Sequence, residues 1–279
     1  MRHWTLEDIQ WNRFDPSKVD DDLIKVIKAA ALVEKNGLDY ARYLQEVFAD
    51  DPEFVEDAWV WADEEVQHGD ALGRWAELAD PSFDFQTAFA DFAATIKLPE
   101  QVDRSVRGSK TGELVSRCMV ECGTSSMYAA LANATEEPVL KQVCQKIAAD
   151  ELRHYKLFYS YQKRYLKSEK IGRWKRFWVA LSRARETEDD ELAYAYYAAN
   201  HNGDGPYDRK LYNTKYAARV YAYYEFGHVE RATAMAFKAV GLKPHGRLSI
   251  LLARTTFALI RRRARRGQAD EARAAAAAA

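Results

Sequence analysis

Two stretches of this chain set a carboxylate and an imidazole in the middle of an apolar helical stripe, and nothing else in the sequence restricts the fold as much. Phe54, Ala58, Trp61, Glu65, His68, Leu72 and Trp75 follow one another at steps of 4, 3, 4, 3, 4 and 3, the inward seam of a bundle helix. Leu140, Cys144, Ile147, Glu151, His154, Phe158, Tyr161 and Tyr165 repeat the alternation. In both, Glu-x-x-His holds the centre. Only 7 Pro and 13 Gly punctuate 279 residues, and alternating Val/Ile/Thr runs are nearly absent, so the chain reads as all-α. The spacing predicts helices over 20–48, 53–79, 112–135, 138–168, 171–198, 208–241 and 247–266. The connection 80–111, with Pro81 and Pro99, is long enough to cross a bundle from end to end. Residues 1–168 form the expected bundle, 169–266 add helices packed on it, and 267–279 are a flexible Ala-rich tail.

The two halves match. Chain reversals at Asp50-Asp51-Pro52 and Glu136-Glu137-Pro138 each precede a seam glutamate by the same distance: Pro52 to Glu65 and Pro138 to Glu151 are both 13 residues. Antiparallel helices place residues equidistant from the turn at one level, which selects Glu34 opposite Glu65 and Glu121 opposite Glu151. Glu46 is too near its turn. Asn36-Gly37, just after Glu34, resembles a helix stop, and a local bulge is the expected means of carrying the first helix past it.

One Glu from each of two helices and a Glu-x-x-His from each of the other two is the donor set of a carboxylate-bridged di-iron or di-manganese bundle. Hard carboxylate oxygens bridge and neutralise two cations, imidazoles cap the ends, and i, i+3 spacing puts both donors on one face. Without such countercharge, carboxylates in a bundle core cost on the order of several kcal/mol each. The expected metal ligands are therefore Glu34, Glu65, His68, Glu121, Glu151 and His154. Asp150 and Glu64, each four residues before one of the histidines, are suited to accept the outer imidazole N–H, from the same helix or across the bundle. Tyr128, Leu131, Phe158 and Tyr161 lie on inward stripes near these residues and are candidates to line a substrate channel. His3, His201, His228 and His245 have no matched carboxylate in the sequence and read as ordinary residues. The loop 200–206 has a faint calcium-loop character without the ligand spacing.

Trp61-Ala62-Asp63-Glu64-Glu65-Val66-Gln67-His68-Gly69-Asp70-Ala71-Leu72 resembles the first metal motif of the soluble acyl-carrier-protein desaturases: a tryptophan, then Glu-Glu-x-x-His-Gly-Asp-x-Leu. Ile147-Ala148-Ala149-Asp150-Glu151-Leu152-Arg153-His154 resembles their second. Glu121-Cys122-Gly123-Thr124 keeps the family's Glu-x-x-Thr, whose threonine sits beside the oxygen-binding face. The resemblance covers residues 20–168 and implies a ferritin-like four-helix bundle with a long crossover. By it the six ligands hold two irons, Glu65 or Glu34 terminal and Glu121 or Glu151 bridging. Thr124 is the implied catalytic residue, O₂ the co-substrate, and a fatty acyl chain on acyl carrier protein the substrate. A ferredoxin-like donor is implied as well, since no flavin or iron–sulfur motif is present. Manganese remains an alternative metal. A ferritin-like hydroxylase or N-oxygenase, and a non-enzymatic iron-storage or peroxide-scavenging bundle, remain alternative functions.

Net charge is −1, but residues 1–100 carry −14, 101–200 carry +4 and 201–279 carry +9. The basic stretch Lys163-Arg164…Lys167…Lys170…Arg173…Lys175-Arg176 is a candidate landing site for an acidic carrier protein. Arg261-Arg262-Arg263-Ala264-Arg265-Arg266 follows an apolar run and is a candidate peripheral membrane contact. No second feature supports nucleic-acid binding, and a homodimer is compatible with the sequence. Three cysteines without a Cys-x-x-Cys pair or a secretory signal point to reduced thiols and a cytoplasmic location.

Overall fold

A computed structural model describes residues 3–99, 102–186, 190–201 and 205–278, and these are helical with no strand among them. The bundle helices begin on side chains that cap them. Asp20 accepts from the Leu23 amide to start α1 (Asp21–Lys35), and Asp51 accepts from Phe54 to start α3 (Pro52–Ala79). Ser109 accepts from Gly112 to start α5 (Lys110–Ala134), and Glu137 from Val139 and Leu140 to start α6 (Pro138–Glu169). In α3 and α6 a proline fills the first position, where no amide is needed. Both expected reversals are thus present. α5 and α6 pair along their lengths, and α1 continues into α2 (Gly37–Val47) to pair with α3.

The first helix is broken, not bulged. Asn36 separates α1 from α2, its amide turning back to Val33 and Glu34 in a tightened last turn. The break lies hard against α3. A Cβ on Gly37 would fall 2.6 Å from the Glu65 Cβ, and one on Gly69 would fall 2.6 Å from the backbone nitrogen of Lys35. Lys35 also pairs with Asp70 at 2.5 Å. The glycine after His68 is there because a backbone, not a side chain, faces it. Gly69→Ala must therefore push α1 away from α3, with an expected loss of about 3 kcal/mol of unfolding free energy in urea titration.

The crossover from α3 to α5 contains α4 (Phe85–Thr95), a helix absent from the sequence reading. After the bundle come α7 (Arg173–Glu186) and α8 (Asp190–Asn200), then α9 (Arg209–Val220) and α10 (Phe226–Val240), the last two separated by a short 3-10 turn at Tyr221–Tyr223. α11 (Arg247–Ala278) runs well beyond the expected end at 266. Alanine is the best helix former, and Arg219 grips Glu271 with two hydrogen bonds of 2.6 and 2.9 Å, so the expected flexible tail is helical as far as Ala278. Asn202, Gly203 and Asp204, in the loop with calcium-loop character, lie outside the described residues. α7 and α10 pack on α5, α8 and α9 on α1, and α11 on α9 and α10. No helix among the described residues is long and apolar enough to cross a membrane.

Apolar packing falls into two large clusters and a small third one at Val115, Ala180 and Val240. Ile27, Leu72, Trp75, Leu131, Leu140 and Ile147 belong to one large cluster, and Phe48, Phe54, Trp61, Cys118 and Phe158 to the other. On each seam the Glu-x-x-His lies between them. The fold thus reserves one polar layer at mid-height.

Candidate metal centre

Two groups of donors occupy that layer, each drawn from three of the four helices. Glu34, Glu65, His68 and Glu151 offer donor atoms within 4.8 Å of one another, and Glu65, Glu121, Glu151 and His154 do the same. All six are buried, His68 completely. Glu65 and Glu151 belong to both groups, whereas Glu34 and Glu121 belong to one each. The residues common to both groups are therefore the glutamate of each Glu-x-x-His.

The outer carboxylates cross the bundle. Asp150 meets His68 Nε2 at 3.1 Å and Glu64 meets His154 Nε2 at 2.7 Å, so each serves the histidine on the opposite helix, not the one four residues along its own. Ionised carboxylates only accept, which puts the proton on Nε2 and turns the Nδ1 lone pair inward. There it faces more oxygen: His154 Nδ1 lies 3.0 Å from Glu65 and 3.6 Å from Glu121, and His68 Nδ1 lies 3.4 Å from Glu151 and 3.5 Å from Glu65. His68 Nδ1, His154 Nδ1, both Glu121 oxygens and Glu151 Oε1 are buried without a hydrogen-bond partner. Lone pairs aimed at one another in a dry core repel unless cations stand between them. Four carboxylates and two imidazoles suit two hard or borderline divalent cations, so the residues present fit a dinuclear centre.

The titration directions describe the same strain. Burial, then the neighbouring Glu65, pushes Glu34 up to about 8. Burial, then Glu65 and Glu34, pushes Glu151 up to about 7. Burial and Glu151 raise Glu121 well above the carboxylate range. Burial alone would lower the imidazoles, but hydrogen bonds to Asp150 for His68, and to Glu121 and Glu64 for His154, carry both well above their usual value. Protons and cations compete for these atoms.

His3 corrects the sequence reading. Its Nε2 lies 3.1 Å from Asp150 and 3.4 Å from Glu64, and the Trp4 indole donates to Asp150 at 2.6 Å while stacking parallel to His68. Arg153 binds both carboxylates. With an intervening separation of 146 residues, no local pattern links Trp4 to Asp150. His228 behaves as expected, bonded to Asn133 and to the Glu225 amide.

A cavity of about 300 Å³ opens onto Glu34, Glu65, Glu121 and Glu151. Thr124 lines it, and its hydroxyl reaches Glu151 as well as the carbonyls of Val120 and Glu121 at 3.2 and 3.3 Å. Tyr128 lines it too and donates to Glu34 at 2.5 Å. Leu131, Phe158 and Tyr161 do not. Leu131 and Phe158 are fully buried in the two large apolar clusters, and Tyr161 turns its hydroxyl to Asp57. The far wall comes instead from Leu192, Tyr216, Val220, Tyr221 and Tyr224, and the polar end from Tyr40, Arg117, Arg183 and Glu191. Arg117 had a signal in the sequence, since it lies one turn before Glu121 on the same face. A larger groove of about 800 Å³ between α1, α4, α8 and α9 touches none of the six donors, and its Lys28 and Asp80 already pair at 2.6 Å.

Residues 5–177, more than half of the chain, match the family model described as fatty acid desaturase. No curated protein matches the chain.

Proposed function

We propose, from the premise that this chain belongs to the fatty acid desaturase family and is an oxidoreductase, that it is an O₂-dependent di-iron enzyme acting on a fatty acyl chain carried by acyl carrier protein. The observation that carries this reading is the cavity opening onto the four carboxylates. Glu34, Glu65, His68, Glu121, Glu151 and His154 would hold two irons, with Glu65 and Glu151 shared between them. Bound there, the irons supply the reduction of O₂ that drives removal of two hydrogens from adjacent carbons, two electrons from a donor and two protons completing the conversion to two waters.

The chain's own residues position and protect. Asp150 and Glu64 fix the imidazoles with Nδ1 inward, and Trp4, His3 and Arg153 fix those carboxylates from outside. Trp61, Val33, Val220 and the tyrosines of α9 and its following turn give an alkyl chain an apolar bed that excludes water. Thr124, hydrogen-bonded to Glu151, would hold a proton there. Exposed Lys163, Lys167, Lys170, Arg173 and Lys175, with Trp174 and Trp178 also outward, support docking of an acidic carrier protein. A ferredoxin-like donor supplies the electrons. The polar end at Arg117 and Tyr40 favours one second reading, a hydroxylase of the same centre.

The test is to load the protein with ferrous iron, add reduced ferredoxin, O₂ and saturated acyl carrier protein, and analyse the acyl chain by mass spectrometry. Loss of two hydrogens with about two irons per chain is expected. Gain of an oxygen supports the second reading, and an unchanged chain at full iron content rejects both.

A further inference from the structure

α11 carries a second apolar face besides the one it packs on the protein. Toward α9 and α10 it turns the small residues Ser249, Ala253, Ala264 and Gly267 together with half-buried Phe257, whose ring meets Phe226 edge-on, and a Cβ on Gly267 would fall 2.4 Å from that of Ala218. Outward it turns Leu248, Leu251, Leu252 and Leu259, exposed by 62, 59, 42 and 60%. At 100° per residue these leucines share one stripe, which Arg262 and Arg266 continue along the same face. Leucines at such exposure over three turns are an unpartnered face that water disfavours.

Charge selects what covers it. From Arg231 to Ala269 the sequence has ten Lys and Arg and no Asp or Glu. A second copy of this face would bring together two segments of the same positive charge, whichever way a two-fold contact orients them. The leucines also form a ridge on a helix, not a groove for a partner's side chains. We propose that α11 docks on an anionic lipid surface, the leucines entering the acyl boundary and the arginines lying among the phosphates. This placement is independent of the reaction assigned to the bundle, and it lies apart from the basic residues 163–175.

The experiment is co-sedimentation of the full chain with phosphatidylglycerol/phosphatidylcholine vesicles and with pure phosphatidylcholine vesicles at about 0.1 M salt. Binding to the anionic vesicles is expected, at least about tenfold stronger than to the neutral ones. The variant L248S/L251S/L252S/L259S and the variant R262Q/R266Q should each lose about tenfold or more, with helix content and iron loading unchanged. All replaced side chains are exposed, so the fold does not depend on them. Absence of sedimentation, equal binding to both vesicles, or full binding by either variant overturns the proposal. So does a wild-type dimer that the leucine variant converts to a monomer, or carrier-protein affinity lost with vesicle binding intact.

Discussion

Glu151→Gln is expected to lower turnover by about a thousandfold, roughly 4 kcal/mol of transition-state stabilisation, and to reduce the iron held per chain. Glu151 is one of two side chains common to both donor groups, so in the proposed centre its loss would disturb both cations at once. Asp150→Asn should cost only about 10- to 100-fold, because Asp150 acts through His68. The same Glu151 variant should make the metal-free protein more stable than the metal-free wild type. Its carboxylate is 1% exposed and repelled by Glu65 and Glu34, and glutamine keeps the volume while removing the charge. Iron analysis, turnover and thermal unfolding of both forms check the pattern. Lower stability in both forms would mean that Glu151 serves packing and not a cation.

Stripping the metal from the wild-type protein is expected to lower its unfolding temperature by on the order of 10 °C. Cations held by these six residues would bind the folded chain and not the dispersed ligands of the unfolded one, so their removal would leave four buried carboxylates without that countercharge. The gap should depend on pH. Glu34 and Glu151, pushed up to about 8 and about 7, bind more protons folded than unfolded. The metal-free protein is therefore stabilised at low pH and loses that stability as pH rises through 7 and 8. Metal must displace those protons, so its affinity rises over the same window. Scanning calorimetry of loaded and stripped protein at pH 6 and pH 8 should show a wider gap at pH 8; an equal or narrower gap there contradicts the linkage.

Several features of the site were legible because they are local. The i, i+3 spacing in α3 and α6, the proline-started turns and the equal offsets brought Glu34, Glu65, Glu121 and Glu151 to one level without any knowledge of packing. Other expectations failed where a contact between distant segments decides. Asn36 breaks the first helix because α3 offers Gly69 to the Lys35 backbone, a fit no single helix reveals. Glu64 and Asp150 exchange histidines because the helices are antiparallel and close, and periodicity alone left both arrangements open.

The sequence by itself determined which side chains could meet and the helices that carry them, since helical periodicity and turn chemistry act within a few residues. Only the tertiary structure decided that Trp4 and His3 close over Asp150 and that Tyr216, Tyr221 and Tyr224 wall the cavity. Those contacts join segments far apart in sequence through burial and charge, which depend on proximity in space and leave no period in the chain.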